Sequence, residues 1–457
     1  MAKQGKNGGK KEPHETSRQV QTAKATLEKI NLKVAGIDVG SEKNYVSVLD
    51  QPVRCFMSFT GEIIEMIAFL KENKIDAVVM EATGIYWLPL YEMLEKAGFK
   101  VCLVNGAHAK NVPGRKTDVL DSEWLRELHT YGLLRSSFIP DENIRLLRYF
   151  VRLREDHISM ASSHINHIHK NLDAMNLKLH KVISSIMGVS GLKVVRAIIS
   201  GERDPEKMLS LCSSEIKDKK RDEVLKSLTG NYRQEYIFGL KQALELWEYY
   251  QQKEDECDKE IESILREMTK NTPDPEALSK PKAVRGNAPE IKGFHLLMIK
   301  LIGDLDATAI SGINDYNLMK IISETGTDLS KFKNAKHFTS WLGLTPGVSQ
   351  SGKKRRKKRR KIFNRAGQAL RQLARNVGNG KNSALCGFYK RIRARAGAVV
   401  AVKATARKIA VYLFNLLTKG EAFVDEGIKR YNQRYEAQQR KFLAAKAKEY
   451  GYKLVEA

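Results

Sequence analysis

The sequence has 457 residues, of which 42% are hydrophobic, so it is too long for one ordinary core and too apolar to be wholly disordered. Residues 351–457 hold 29 of its 79 lysines and arginines but only 6 of its 53 acidic residues. The net charge is therefore +23 in that stretch and +3 in the first 350 residues, which predicts a polyanionic partner bound near the C-terminal end.

Membrane and disulfide-rich classes are excluded by other features. The longest apolar stretch, Ile409–Leu417, falls well short of the ~20 residues that span a bilayer. The first residues lack the apolar core of a secretory signal, and the five cysteines never form a C-x-x-C pair. We therefore expect no membrane association and a cytoplasmic, nucleoid-associated protein of a bacterium or archaeon.

The first third of the chain alternates between strand and helix patterns. After a basic flexible tail (1–32), the strand patterns VAGIDVG, YVSVLD and CFMSFT precede the helix pattern EIIEMIAFLKEN. Two further strands and two helices then alternate: DAVVME, IYWLPLYEMLEKAG, KVCLVN and DVLDSEWLRELHTYG. This order predicts a mixed α/β domain of the ribonuclease-H-like type over residues 33–140.

The rest of the chain has a helical pattern, and we predict no strand after Pro140. Residues 141–290 contain two unusually long amphipathic stretches, which we interpret as a coiled-coil hairpin, and a Pro-rich linker. Between the long stretches Pro205 is expected to begin a helix. Residues 291–420 form a mainly helical C-terminal domain, and residues 421–457 form a charged helical tail.

Four acidic residues lie at the ends of predicted elements. Asp38 lies within the first strand, Glu81 ends AVVME, and Asp118 and Asp121 lie three apart at a helix start. Each has an ordinary explanation: a sugar-kinase phosphate loop for Asp38, a solvated strand end for Glu81, and a helix cap for the aspartate pair. Together they predict a Mg²⁺ site suited to phosphodiester chemistry.

A run of nine consecutive cations lies between a packed segment (HFTSWLGL) and a helix pattern (AGQALRQLARN). We expect it to neutralise nucleic-acid phosphates, although a solvated tail or an import signal has the same composition. The run consists of Lys353, Lys354, Arg355, Arg356, Lys357, Lys358, Arg359, Arg360 and Lys361.

Three histidines, His164, His167 and His169, have spacings of three and two. Such spacings do not place all three on one helix face, so we favour ordinary polar groups over a metal site.

The stretches GIDVGSEKNYVSV, VVMEATGIYWLPLYEMLEKAGFKVCLVN and GRKTDVLDSEWLREL resemble the DEDD transposases of the insertion-sequence one-ten family, relatives of the Piv invertase with a RuvC-like domain. The resemblance extends over residues 33–420. It implies that Asp38, Glu81, Asp118 and Asp121 bind the metal. It also implies a serine nucleophile, which falls on Ser351 with Ser349 as the rival. It places the family's Gly-Ile-Gly hairpin at ISGIND, where Asn314, a residue that tolerates left-handed backbone, replaces the second glycine. A phosphate-contacting hairpin and a plain helix–helix turn are alternatives for this segment.

The resemblance further implies a DNA recombinase that cleaves and rejoins DNA through a phosphoserine intermediate. A noncoding (bridge) RNA would guide it to target and donor DNA, and it would act as a dimer or tetramer. Two alternatives remain: a RuvC-like hydrolytic nuclease or junction resolvase, and a noncatalytic nucleic-acid-binding protein. The DNA flanking the gene would distinguish these functions.

Overall fold

The chain divides into an N-terminal unit, residues 1–139, and a helical unit, residues 140–457. The computed structural model describes residues 28–106, 118–284, 286–351, 354–358, 364–380 and 383–453. For 118–120, 347–351, 354–358 and 421–432 it describes only the backbone. The predicted tail (1–32) lies almost entirely outside the described residues.

The N-terminal unit contains a five-stranded mixed sheet in the order β3-β2-β1-β4-β5. Strand β1 pairs antiparallel with β2 and parallel with β4, so the sheet changes direction at β1. This is the strand order of the ribonuclease-H-like fold, and the predicted fold class is confirmed. The strands are β1 (Val34–Val39), β2 (Lys43–Ser47), β3 (Arg54–Met57), β4 (Ala77–Glu81) and β5 (Lys100–Val104).

Helices pack against both faces of this sheet. Helices α1 (Thr60–Glu72) and α2 (Trp87–Lys96) cover one face and enclose a core that includes Ile37 and Met80. Helix α3 (Asp118–Thr130) lies on the opposite face. The near-continuous apolar sequences of β1 and β4 follow from this two-sided burial.

Two long antiparallel helices, α4 (Glu142–Ala174) and α9 (Gln234–Thr269), organise the helical unit. The hydrogen bond from Asn231 N to Met175 O fixes their direction, because it joins the end of α4 to the start of α9. Between them lie α5 (Leu179–Val182), α6 (Val189–Ile199), α7 (Pro205–Ser210) and α8 (Ser214–Ser227). The prediction that Pro205 begins a helix is confirmed.

The remaining helices follow the Pro-rich linker. They are α10 (Phe294–Leu301), α11 (Asp315–Thr325), α12 (Ala335–Trp341), α13 (Arg365–Asn379), α14 (Ala384–Ala396), α15 (Ala398–Lys419) and α16 (Glu421–Glu449). Most of them share one hydrophobic core with the start of α4 and the end of α9, while α5–α8 share a second core with the other ends.

An ion pair is buried between the two long helices. The Arg154 guanidinium donates to both carboxylate oxygens of Asp258, and both side chains are almost wholly buried. Arg154 also donates to the carbonyl oxygen of Asn287, at 3.0 Å, so it ties the linker to the helix pair. This pairing offsets the desolvation of both charges.

The prediction of no strand after Pro140 was wrong. Strands β6 (Gly347–Ser351) and β7 (Lys354–Lys358) form an antiparallel hairpin within the helical unit. A run of Lys and Arg has no apolar–polar alternation, so its sequence carries no strand signal. Among the described helices, none is long and apolar enough to cross a membrane.

Candidate functional site

Asp38 and Glu81 lie at the same end of two neighbouring parallel strands. The β1–β4 ladder pairs Ile37 with Met80, and the two carboxylates follow directly after that pair. Side chains alternate along a strand, so both acids lie on the face opposite Ile37 and Met80. Both are half-buried, and their face is the one that also carries Val79.

Helix α3 covers that face, and a glycine allows its close approach. A Cβ atom at Gly36 would lie 2.1 Å from the carbonyl oxygen of Ser122 and 2.7 Å from the backbone nitrogen of Arg126. The Arg126 side chain also donates to Ser47 Oγ, at 3.0 Å, which fastens α3 to β2. Because Gly36 precedes Asp38 by two residues on the same strand face, α3 is held directly beside the acidic strand ends.

The direction of α3 places its first turn near the acidic strand ends. The backbone nitrogen of Asn31, which precedes β1, donates to the carbonyl oxygen of Thr130 at 3.1 Å. The last turn of α3 therefore lies at the amino end of β1, and its first turn lies at the carboxyl end. That first turn begins with Asp118 and contains Asp121.

The predicted metal tetrad is only partly within the described side chains. Asp38, Glu81 and Asp121 are described, whereas the side chain of Asp118 is not. Among the side chains that are described, no three His, Cys, Asp or Glu residues form a group able to hold one metal ion. The four-residue site remains a prediction, and its carboxylate oxygens are the donors that Mg²⁺ prefers.

A second glycine leaves room for the Glu81 carboxylate. A Cβ atom at Gly106 would lie 1.9 Å from Glu81 Oε1, so a larger residue there would displace the carboxylate. The roles of Gly36 and Gly106 were not predicted. A glycine inside an apolar strand does signal close backbone approach, so the position of Gly36 carried a usable signal. Gly106 lies beyond the end of β5, and its position gave no such signal in the sequence.

The two candidate serines lie on β6. Ser351 is the last residue of β6 and pairs with Lys354, while Ser349 pairs with Arg356. The basic run supplies all of β7, residues 354–358, and its remaining members, Lys353 and residues 359–361, lie outside the described residues. The described backbone thus places both serines opposite cationic residues of the run.

The segment that enters β6 is fastened to α13. A Cβ atom at Gly367 would lie 2.1 Å from the carbonyl oxygen of Leu342, so helix and segment are in direct backbone contact. Arg371 of the same helix donates to the carbonyl oxygen of Gly343, at 3.3 Å, and burial lowers its pKa. The base of the serine hairpin is therefore positioned by a packed helix.

Only two of the three histidines lie together, as their spacing predicts. The rings of His164 and His167 are 5.7 Å apart, and His164 stacks on Tyr250. His169 instead stacks on His180, at 4.9 Å. Burial and the neighbouring His167 lower the pKa of His164, which favours its neutral form.

The predicted hairpin at ISGIND is a turn that leads into a helix. Gly312 has a positive φ of 95°, which requires glycine, whereas Asn314 has a φ of −130°. The Asn314 side chain accepts a hydrogen bond from Asn317 N and caps α11. Its tolerance of left-handed backbone is therefore not used here.

Two family models match this chain. One, for DEDD transposases of the IS110 type and described as "Transposase", matches residues 35–177. The other, described as "Transposase IS116/IS110/IS902 family", matches residues 307–378. The chain belongs to the IS110 family of transposases. No curated protein matches it.

The two matched stretches contain every predicted catalytic position of this IS110-family transposase. The first spans β1–β5 and α3, with the four acidic residues, and the second spans the serine hairpin and the basic run. Membership makes the protein a transposase that acts on DNA. A DEDD domain also implies dependence on a divalent metal in general.

Proposed function

We propose that this transposase cleaves and rejoins DNA through a transient covalent bond between Ser351 and a DNA phosphate. Asp38, Glu81, Asp118 and Asp121 would hold Mg²⁺, which stabilises charge on the attacking and leaving oxygens of a phosphoryl transfer. The observation that carries this proposal is the convergence of β1, β4 and α3, each bearing carboxylates, on one end of the sheet.

The proposed reaction conserves the energy of the phosphodiester bond. The Ser351 oxygen forms a bond to phosphorus while one P–O bond of the DNA backbone breaks, and the serine proton ends on the released deoxyribose hydroxyl. Attack by a second DNA hydroxyl reverses these steps and frees the serine. Cations of the paired strand β7 would neutralise the adjacent phosphates.

Substitution of the strand-end carboxylates tests the metal site. We expect Asp38→Asn or Glu81→Gln to abolish strand cleavage while DNA affinity is unchanged. These carboxylate oxygens would hold the metal at the reacting phosphate and are not needed to bind the rest of the DNA. Asp76→Asn is the matched control, since Asp76 is an exposed residue at the opposite end of β4. Full cleavage by Asp38→Asn would refute the metal site.

A denaturing gel of protein mixed with labelled DNA tests the nucleophile. We expect the unmodified protein and Ser349→Ala to form a covalent adduct, and Ser351→Ala to bind DNA without forming one. An adduct in Ser351→Ala but not in Ser349→Ala would assign the nucleophile to Ser349. Cleavage by the unmodified protein without any adduct would instead favour the hydrolytic nuclease.

We further propose that a noncoding RNA guides the protein to target and donor DNA and that it acts as a dimer or tetramer. The net charge of +26 permits a large nucleic-acid footprint. Sequencing of nucleic acid that co-purifies with the protein is expected to yield one specific RNA. Random fragments alone would argue against guidance. Mass measurement of the complex is expected to show two or four chains.

A further inference from the structure

Helices α14 and α15 form an acid-free, cation-rich pair. Residues 384–419 contain no Asp or Glu but eight Lys or Arg: Lys390, Arg391, Arg393, Arg395, Lys403, Arg407, Lys408 and Lys419. By contrast, α8 of the same unit has five basic and four acidic residues in 14 positions. This pair lies outside the nine-residue basic run, so it is a separate source of positive potential.

The packing of the two helices leaves the cations of α14 exposed and those of α15 exposed or half-buried. Gly397, with a φ of 83°, ends α14 and begins α15, so the helices form a tight hairpin. Leu385 and Tyr389 of α14 and Ile409 of α15 contribute to the large core of the helical unit. The basic residues of α14 lie off this buried face and retain access to solvent.

Arg391 and Lys408 lie close to each other on the two adjacent helices. The Lys408 ammonium lies 4.9 Å from the centroid of the Phe388 ring and 6.0 Å from that of Tyr412. Arg391 donates to Gln438 of α16, which orients its guanidinium near Lys408. Burial and the neighbouring Arg391 lower the pKa of Lys408 to about 8.

We propose that this surface, the α14–α15 basic surface, binds the phosphate backbone of double-stranded DNA, with Arg391 and Lys408 contacting phosphate. A phosphate placed between two cations held on adjacent helices is attracted by both of them. We choose DNA as the partner because the chain belongs to a family of transposases, which act on DNA. The contact would position DNA without reading its sequence.

The proposal shares only DNA as a partner with the proposed function and does not depend on Ser351 or on metal. DNA binding and adduct formation are separate measurements, so either proposal can fail while the other stands.

Binding of the full-length protein to a short DNA duplex at several salt concentrations tests the surface. Each lost phosphate contact reduces the magnitude of the slope of log affinity against log salt by ~0.9. The double variant Arg391→Gln with Lys408→Gln is therefore expected to reduce it by ~1.8. Lys219→Gln is the matched control, because Lys219 is an exposed lysine on the charge-balanced α8. Thermal unfolding of each variant checks that the fold is retained.

The pH dependence of binding tests Lys408 directly. Phosphate favours the charged amine, so affinity is expected to fall as pH rises above 8, by at most about tenfold per pH unit. Lys408→Arg stays charged throughout this range and is expected to lack this decrease.

Three results would overturn the proposal. The first is a salt slope of the double variant equal to that of the unmodified protein. The second is a decrease that appears only with an RNA duplex of the same length, which would assign the surface to RNA. The third is identical pH dependence of the unmodified protein and Lys408→Arg, which would remove Lys408 from the contact.

Discussion

Replacement of Gly36 by alanine tests the link between the fold and the proposed active site. The added Cβ would lie 2.1 Å from the Ser122 carbonyl oxygen, whereas ordinary contact begins at 3.4 Å, so α3 must move by more than 1 Å. The blocking atoms belong to the backbone and cannot rotate away. Overpacking of this kind costs about 1–3 kcal/mol.

The same movement is expected to reduce catalysis more than stability. Asp121 immediately precedes Ser122, so it moves with the displaced segment. A misplacement of about 1 Å in a catalytic constellation lowers the rate by about 10²-fold. We therefore expect Gly36→Ala to fold with a lower melting temperature, to bind DNA normally and to cleave it about a hundredfold more slowly.

The assay pairs thermal unfolding with strand cleavage and includes a glycine control. A Cβ atom added at Gly61 in α1 would have no neighbouring atom within 4 Å, so Gly61→Ala is expected to be neutral or stabilising by up to about 1 kcal/mol. Unchanged melting temperature and unchanged cleavage in Gly36→Ala would refute the close approach of α3 as the positioning device.

Three further predictions concern the helical unit. Arg154→Met would leave the Asp258 carboxylate buried without its charge partner and is expected to destabilise the protein by about 3–5 kcal/mol in denaturant unfolding. Burial raises the pKa of Glu254 despite the neighbouring Arg154, so this carboxyl contributes less to stability as pH rises through its normal range. Glu254→Gln is accordingly expected to raise the melting temperature at pH 7. It is expected to have no such effect at low pH, where the protonated Glu254 side chain is as neutral as glutamine. Neutralising Lys353–Lys361 is expected to reduce the magnitude of the slope of log DNA affinity against log salt by ~0.9 per lost phosphate contact. An unchanged slope would show that the run is a solvated tail that does not contact DNA.

Local patterns predicted much of the secondary structure. The strand patterns at VAGIDVG and DAVVME are buried on both faces of the sheet, and apolar periodicity predicted the long helices α4 and α9. Pro205 predicted the start of α7 because a proline suits the first helical position. These features depend on neighbours within a few residues, which the sequence displays directly.

Other features depended on contacts between distant residues. The β6–β7 hairpin pairs Ser351 with Lys354 through backbone hydrogen bonds that any residue can make, so its charged sequence did not reveal it. Gly106 makes room for Glu81, 25 positions earlier in the chain, and no local pattern predicts that contact.

The sequence by itself determined most of the element types, the concentration of charge near the C-terminal end and the acidic residues at strand and helix ends. Only the tertiary structure decided that α3 runs against β1, so that its first turn lies at the same end of the sheet as Asp38 and Glu81. The physical reason is steric. Helix direction and depth follow from backbone contact at Gly36 and from hydrogen bonds at Asn31, and such contacts form only when the chain has packed.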